Sequence, residues 1–319
     1  MVSQLIPFSN MRLEASELPA VGRYVDVDGK RLWVHRSGTG GPAVVFLAGA
    51  GAMGLDYLLA HDRIAEFTTS IIYDRTGTGW SDDTVLPRSL DEVTDELSAL
   101  LRVLDVPPPY VLVGHSLGGA YGQRYAQRFA DRVAALLQLD PVHADYDEYM
   151  PEHLKLAANG ATFMDPPPEL IADFVALARA QLESGMFDTF ADPIRRQLID
   201  KHISPERLLT GVREGTNIQA LFDELRAGGP LPDVPLILLS GTAIGPELTL
   251  FQSEANVRER IAGSQRLFDA ITAATPRGEH RVLPNASHVT IPMVRPDAVA
   301  NAARDLIRGL HLPRTTPRG

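Results

Sequence analysis

Short aliphatic runs alternate with amphipathic stretches along much of the chain. The runs PAVVFLAG, SIIYD, YVLVG and VAALLQLD lie at 42–49, 70–74, 110–114 and 133–140, and helical periodicity covers 54–66, 89–105 and 117–130. Unbroken aliphatic strands are typical of sheets buried on both faces. Their alternation with helices therefore predicts an α/β fold with a mostly parallel sheet and helices on both sides.

The pattern opens and closes with further strands. Residues 23–37 alternate as strand, Asp28-Gly29, strand, and the Asp-Gly pair predicts a hairpin turn. After residue 233 the strand and helix pattern resumes, with strands expected at 234–241 and 278–284 and helices at 253–274 and 296–310.

Between Pro141 and Asp233 the strand pattern stops. Helical periodicity is present instead at 168–183, 192–201 and 205–226, which predicts a helical lid. Its aromatic and methionine side chains either pack within the lid or line part of an apolar substrate cavity. The predicted divisions are an N-terminal segment 1–20, a core at 21–142, a helical cap at 143–232 and the rest of the core at 233–319.

Composition excludes several classes of protein. No run approaches the roughly 18 apolar residues that a membrane span needs, so no membrane partner is expected. A net charge of −10, without a basic stripe, makes nucleic acid a poor partner. The chain has no cysteine, which excludes disulfides, thiolate metal sites and a cysteine nucleophile.

The first residues carry neither a basic start nor an apolar core of signal-peptide length, so a cytoplasmic protein is expected. Segment 1–20 is either a tail or an arm that packs on the body or on a second subunit, and a homodimer is therefore left open.

The segment PYVLVGHSLGGAYG at 109–122 carries a G-x-S-x-G motif between a strand and a helix. In such a nucleophile elbow, small residues at Gly114 and Gly118 permit a very tight turn that projects the hydroxyl of Ser116 above the sheet. The N–H of Leu117, at the start of the helix, would point at negative charge that forms beside that hydroxyl.

A serine hydroxyl needs a base whose pKa is near ambient pH, which imidazole supplies. Among nine histidines, His288 alone follows a predicted strand C-terminus at the edge where ligands of open α/β sheets collect. His115 lies inside the elbow, where its side chain is expected to turn away from the serine and to have a structural role.

These features resemble the α/β-hydrolase fold superfamily from about residue 21 to 311. The resemblance rests on GHSLGG at 114–119, YDRTGTGWSD at 73–82 and ASHVTIPMVRPDAV at 286–299. It implies that His288 is the catalytic histidine. It also implies a second oxyanion donor in the loop after the run at 42–49, where Ala48 replaces the family's usual histidine and the N–H of Ala50 is the natural donor, with Gly51 as the fallback.

The acid of the triad is less evident. The usual family position, a few residues after Gly241, carries no aspartate, and the nearest carboxylate there is Glu247. The resemblance also implies an alternative position, used by family members such as haloalkane dehalogenases and zearalenone lactonases, in which the acid ends the strand after the elbow helix. Asp140 stands at that position in this sequence. We assign Asp140, with Glu247 as the alternative and Asp233 as a further one.

The sequence thus predicts a serine hydrolase, of esterase or lactonase type, that acts on a small carbonyl substrate through an acyl-enzyme. A carbon-carbon hydrolase, a peptidase, a cofactor-free haloperoxidase-like enzyme and a non-catalytic receptor on the same fold stay open. No cofactor and no metal are expected.

Overall fold

A computed structural model describes residues 19–156, 171–204, 206–249 and 252–310. Eight strands form one sheet in the order β1-β2-β4-β3-β5-β6-β7-β8. The strands are β1 Arg23–Val27, β2 Lys30–Ser37, β3 Val44–Leu47, β4 Ser70–Tyr73, β5 Tyr110–His115, β6 Val133–Leu139, β7 Leu236–Gly241 and β8 Gly278–Leu283.

Only β2 runs against its neighbours, and every other pairing from β4 to β8 is parallel. The predicted hairpin joins β1 and β2 through Asp28 and Gly29, which have φ angles of 50° and 78°. Both angles are positive, as a two-residue turn between twisted strands requires. The prediction of a mostly parallel sheet is confirmed.

Twelve α-helices occur in the described part of the chain. They are α1 Leu58–Ala65, α2 Leu90–Val103, α3 Leu117–Arg128, α4 Tyr146–Tyr149, α5 Ile171–Gln181, α6 Asp192–His202, α7 Thr210–Gly215, α8 Ile218–Ala227, α9 Pro246–Thr249, α10 Glu254–Ala274, α11 Ile291–Val294 and α12 Pro296–Gly309.

The sheet separates two apolar layers, because successive residues of a strand face opposite sides. In β3, Val44 and Phe46 belong to the layer that contains α1 and α12. Val45 and Leu47 belong to the layer that contains α2 and α3. Helices therefore cover both faces, as the continuous aliphatic runs predicted.

No strand occurs in the described part of the segment between β6 and β7, and its regular elements there are helices. The helical periodicity at 205–226 corresponds to two helices, α7 and α8, and Thr216 and Asn217 form a turn between them. The two helices differ in what they bury: α8 buries Leu221, Phe222 and Leu225, whereas the buried residues of α7 are Thr210 and Glu214.

No helix in the described ranges combines the length and the apolar character that crossing a bilayer demands. The carboxyl ends of β5, β6 and β8 lie at one edge of the sheet, since these strands are parallel. The residues that follow these three ends form the candidate site.

Candidate active site

Ser116 occupies the turn between β5 and α3, with a φ of 51° and a ψ of −119°. A residue other than glycine rarely adopts a positive φ, and the backbone strain that this angle causes is concentrated at functional positions. The turn is as tight as the motif predicted. A Cβ on Gly114 would lie 2.6 Å from the carbonyl oxygen of Gly118, and one on Gly118 would lie 1.9 Å from that of Leu47.

His288 lies in the loop between β8 and α11, and its side chain reaches Ser116. The distance between His288 Nε2 and Ser116 Oγ is 3.1 Å, which is hydrogen-bonding distance. The loop is held from within, because the N–H of Ser287 donates to the hydroxyl of Thr290. The imidazole is therefore placed to take the hydroxyl proton.

Asp140 immediately follows β6 and is buried, with 8% of its surface exposed. Its φ is 45°, so it shares with Ser116 a strained backbone at a strand end. Asp140 Oδ2 lies 3.5 Å from Nδ1 of His288 and 3.4 Å from the N–H of Gly241. The carboxylate thus faces the ring nitrogen opposite to the one that faces Ser116.

Glu247 and Asp233 were the other carboxylates considered for the acid of the triad. Glu247 belongs to α9, and its side chain lies outside what the structure describes. Asp233 precedes β7 and accepts a hydrogen bond from Arg277 at 3.3 Å, so it lies at the other end of that strand. Of the described carboxylates considered, Asp140 is the one beside His288.

The two predicted oxyanion donors, Leu117 and Ala50, belong to segments that meet at Ser116. Leu117 is the first residue of α3 and adjoins Ser116. The loop after β3 passes close by, since a Cβ on Gly49 would lie 3.2 Å from that of Ser116. In this loop the N–H of Gly49 donates to Tyr57 and that of Gly51 to Glu214, which rules out Gly51 as the fallback donor and leaves Ala50 as the candidate.

A buried ion pair holds the same loop. Arg75 Nε lies 2.6 Å from Glu214 Oε1, and both side chains are 3% exposed. The guanidinium of Arg75 also donates to the carbonyl oxygens of Ala48 and Gly49, at 2.9 and 2.8 Å. Glu214 comes from α7, so this helix and the candidate oxyanion loop are connected through one pair of charges.

A second network involves His115, whose ring contacts Tyr57 and the backbone of His288. His115 Nε2 lies 2.8 Å from the carbonyl oxygen of His288, and only a protonated nitrogen can donate to that acceptor. Nδ1 must then accept from the hydroxyl of Tyr57, at 2.7 Å. Burial lowers the pKa of His115 to about 4, so the ring is neutral at pH 7 and holds the backbone of His288.

Two cavities are lined by residues of the elbow, Ser116 in one and His115 in the other. One, of about 190 Å³, is lined by Ser116, Asp140 and His288. The other, of about 360 Å³, is lined by Ala50 and by side chains of α5 and α6 such as Ala178 and His202.

Within the described ranges, one group of three residues has the ligand types and spacing to hold a metal ion. It consists of His35, His61 and Asp62, whose ligand atoms lie within 4.8 Å of one another. These residues come from β2 and α1, and none of them lines either cavity beside the nucleophile.

Sequence reasoning missed the contributions of Tyr57, Glu214 and Arg260, the last of which lines the smaller cavity. No local motif marks Tyr57 or Glu214. Arg260 lies within the helix predicted at 253–274, where nothing in the sequence distinguishes it from Arg258 and Arg266.

Two curated relatives are similar to parts of this chain. The uncharacterized protein YbdG of Bacillus subtilis is 30% identical over 129 residues, which are 40% of this chain and 40% of that protein. The dihydrolipoyllysine-residue acetyltransferase component of the acetoin cleaving system of Pseudomonas putida is 32% identical over 200 residues, 61% of this chain and 49% of that protein. The chain thus spans less than half the length of each.

Solved structures share the fold over most of the chain. The meta-cleavage product hydrolase CumD of Pseudomonas fluorescens IP01 has a TM-score of 0.64 at 17% identity and covers 90% of this chain and 98% of its own. Est816, an N-acyl homoserine lactone degrading enzyme, has a TM-score of 0.59 at 21% identity, with coverages of 89% and 99%. At these identities the likeness concerns the fold alone.

The model of the family described as the alpha/beta hydrolase family matches residues 44–302. The match runs from β3 into α12 and includes the elbow, Asp140 and His288. It agrees with the resemblance on which the sequence analysis relied, and it covers well over half of the chain. The protein therefore belongs to the alpha/beta hydrolase family.

Proposed function

We propose that this protein is a serine hydrolase that cleaves an ester, a lactone or a related carbonyl compound through an acyl-enzyme. The observation that carries the proposal is the line from Ser116 Oγ to His288 Nε2, at 3.1 Å, and from His288 Nδ1 to Asp140 Oδ2, at 3.5 Å. This order of hydroxyl, imidazole and carboxylate supports acyl transfer with Ser116 as nucleophile, His288 as base and Asp140 as orienting acid.

In the first half of the proposed reaction, Ser116 Oγ attacks the carbonyl carbon while its proton passes to Nε2 of His288. The N–H groups of Ala50 and Leu117 bind the oxyanion, and each such donor contributes roughly 3 kcal/mol to lowering the barrier. The intermediate collapses, the bond to the leaving oxygen breaks, and His288 returns the proton to that oxygen.

In the second half, a water molecule attacks the acyl-enzyme and gives a proton to His288. The new tetrahedral intermediate expels Ser116 Oγ, which recovers the proton, and the acid is released. Asp140 stabilises the imidazolium and fixes the tautomer in both halves. The reaction needs no cofactor and no metal.

We also propose that the helical segment between β6 and β7 is a cap over the site. Tyr146, Leu156 and Phe222 come from this segment and line the cavity that contains Ser116. Met186, Phe187 and Leu208 line the cavity beside Ala50. The cap would select substrates by the size and polarity of their two halves.

A fluorophosphonate probe tests the proposal directly, since it reacts with an activated serine and not with an ordinary hydroxyl. We expect rapid labelling of the wild-type protein and none of Ser116→Ala. Hydrolysis of p-nitrophenyl esters of graded chain length and of a lactone panel should be lost in the same variant. Ser98→Ala, a change in α2 away from the site, is the control.

His288→Ala should lower turnover by roughly three orders of magnitude or more, since triad residues act as a unit. His153→Ala, a change at an exposed histidine, is the matched control. Labelling of Ser116→Ala at the wild-type rate would refute the proposal. A folded protein that is neither labelled nor active on any of these esters would favour the receptor alternative.

A further inference from the structure

The cavity that contains Ser116 has an unusual wall. Helix α10 presents Arg260, Ser264 and Phe268 to it at a spacing of four residues, which places these side chains on one helical face. Most of the other lining residues, such as Val142, Leu156 and Phe222, are apolar. A guanidinium in a small, mainly apolar cavity is costly to desolvate unless something neutralises it.

Arg260 has no hydrogen bond or ion pair to any described residue, although it is partly buried. The neighbouring arginines of the same helix differ. Arg258 pairs with Glu254, and Arg266 donates to the carbonyl oxygen of Tyr149 at 2.9 Å. The one arginine of α10 that faces the nucleophile's cavity is therefore the one without a partner in the described part of the chain.

A phenol stands close to this guanidinium. Burial raises the pKa of Tyr146 to about 12, and the positive charge of Arg260 lowers it only in part. Tyr146 is therefore protonated at neutral pH and can donate a hydrogen bond. Arg260 and Tyr146 thus both offer hydrogen-bond donors at the wall of this cavity, and Asp140 is the one carboxylate among its described lining residues.

We propose that the substrate carries a carboxylate, which Arg260 binds while Ser116 attacks the scissile carbonyl. This inference rests on the proposed hydrolase function. A guanidinium presents parallel N–H groups that match the two oxygens of a carboxylate, and such charge-assisted pairs are strong when partly shielded from water. The cavity of about 190 Å³ holds a short anionic group rather than a long acyl chain. The substrate class is a short half-ester or a carboxylated lactone.

Matched pairs of esters test the proposal. On the acyl side, p-nitrophenyl hemisuccinate is compared with p-nitrophenyl 4-methylpentanoate, in which an isopropyl group replaces the carboxylate. On the alcohol side, 4-acetoxybenzoate is compared with 4-isopropylphenyl acetate. For each pair the ratio of kcat/KM, charged over neutral, is measured in wild type, Arg260→Gln, Arg260→Lys and Arg258→Gln.

We expect the ratio of one pair to fall at least roughly tenfold in Arg260→Gln, which is the size of effect that loss of a charge-assisted hydrogen bond produces. Arg260→Lys should retain part of the preference for the charged ester. Lysine keeps the positive charge but lacks the planar pair of N–H groups that binds both carboxylate oxygens. Arg258→Gln, four residues from Glu254 on the outer face, should retain the wild-type ratio. Ratios unchanged by Arg260→Gln in both pairs would overturn the proposal.

Calorimetry in a Ser116→Ala background separates this inference from the hydrolase function, because it measures binding without turnover. Binding of the charged ester that weakens when Arg260→Gln is added supports the anion site, even if no ester is hydrolysed by the wild type. Equal binding of charged and neutral esters in both backgrounds refutes it, even if neutral esters are hydrolysed.

Discussion

Ser116 and Asp140 both have positive φ angles, 51° and 45°, at the ends of adjacent strands. Neither residue is glycine, so each position costs about 1 to 3 kcal/mol that the rest of the fold must offset. Hydrogen bonds supply part of the constraint, since the N–H of Ser116 donates to Leu139 and that of Asp140 to Leu239. Single residues in strained positions thus place Ser116 and the candidate acid at the same sheet edge.

The assignment of the acid is testable at this scale. Asp140→Asn should preserve the fold but favour the wrong imidazole tautomer and lower kcat by roughly four orders of magnitude, as the equivalent change does in serine proteases. Glu247→Gln should change kcat little. Steady-state kinetics on p-nitrophenyl esters, with circular dichroism to verify folding, distinguish the two. An active Asp140→Asn beside an inactive but folded Glu247→Gln would move the acid to the loop after β7.

Tyr57 is predicted to be a positioning residue that acts through His115. Tyr57→Phe removes the donor to Nδ1 and frees the ring to change tautomer, which weakens the bond from Nε2 to the backbone of His288. We expect the fluorophosphonate labelling rate to fall about tenfold and the free energy of unfolding to fall by about 1 to 3 kcal/mol.

Tyr110→Phe is the matched control for that change. The hydroxyl of Tyr110 also donates a buried hydrogen bond, to the carbonyl oxygen of Val106, but it lies in the core away from the site. Its loss should cost stability and leave the labelling rate unaltered. If the two variants have the same labelling rate, Tyr57 has only a structural role.

At the scale of elements, Arg75 and Glu214 join α7 to the loop after β3. Both side chains are buried, and a buried pair that loses one partner leaves an uncompensated charge. The same pair holds the carbonyl groups on either side of the Ala48–Gly49 bond, immediately before the candidate oxyanion donor. Damage to the pair should therefore affect both stability and catalysis.

Glu214→Gln should lower the free energy of unfolding by about 3 to 5 kcal/mol, measured by urea denaturation. Asp223→Asn breaks the exposed pair with Arg226 on the adjacent helix and should cost at most about 1 kcal/mol. An equal cost for the two variants would show that the buried pair contributes no more than a surface one.

At the scale of the molecule, an ion pair between His202 and Asp56 joins the helical segment between β6 and β7 to the sheet domain. His202, at the end of α6, lies 3.0 Å from Asp56, which precedes α1, and stacks on Phe187. Burial opposes the charged imidazole, but the charge of Asp56 and its hydrogen bond outweigh burial and raise the pKa of His202 above its ordinary value.

A raised folded-state pKa means that the folded protein holds this proton more tightly than the unfolded chain. The stabilisation is therefore complete below about pH 6.5 and is lost as pH rises through the folded-state value, at up to about 1.4 kcal/mol per pH unit. The difference in unfolding free energy between wild type and His202→Gln should be larger at pH 5.5 than at pH 9. A difference independent of pH would mean that His202 has the same pKa in the folded and the unfolded protein, and a difference that is smaller at pH 5.5 would mean that its pKa is lowered by folding.

The lowered pKa of His115 has the opposite effect. This ring stays neutral in the folded protein and takes up a proton on unfolding below about pH 6.5, so it destabilises the fold in acid. Both the wild type and His202→Gln contain His115. Its contribution to the free energy of unfolding therefore cancels when the two proteins are compared at one pH.

The amino-acid sequence by itself determined the sheet, the elbow and the position of His288. Aliphatic runs of strand length indicate a sheet that is buried on both faces, and the G-x-S-x-G motif reflects the steric requirements of a tight turn. Both features can be recognised within about a dozen residues of sequence. For the acid of the triad, the sequence offered three candidates, Asp140, Glu247 and Asp233. A carboxylate at the end of a strand can be recognised in the sequence, but the side chain that it faces cannot.

Only the tertiary structure decided which groups meet. Tyr57 and His115 are 58 positions apart, Arg75 and Glu214 are 139 apart, and the hydrogen bond between Ser116 and His288 spans 172. The same holds for Arg260, whose lack of a partner is a property of its surroundings and not of its helix. Contacts between distant segments depend on strand order and loop paths, and periodicity within a window contains no information about either.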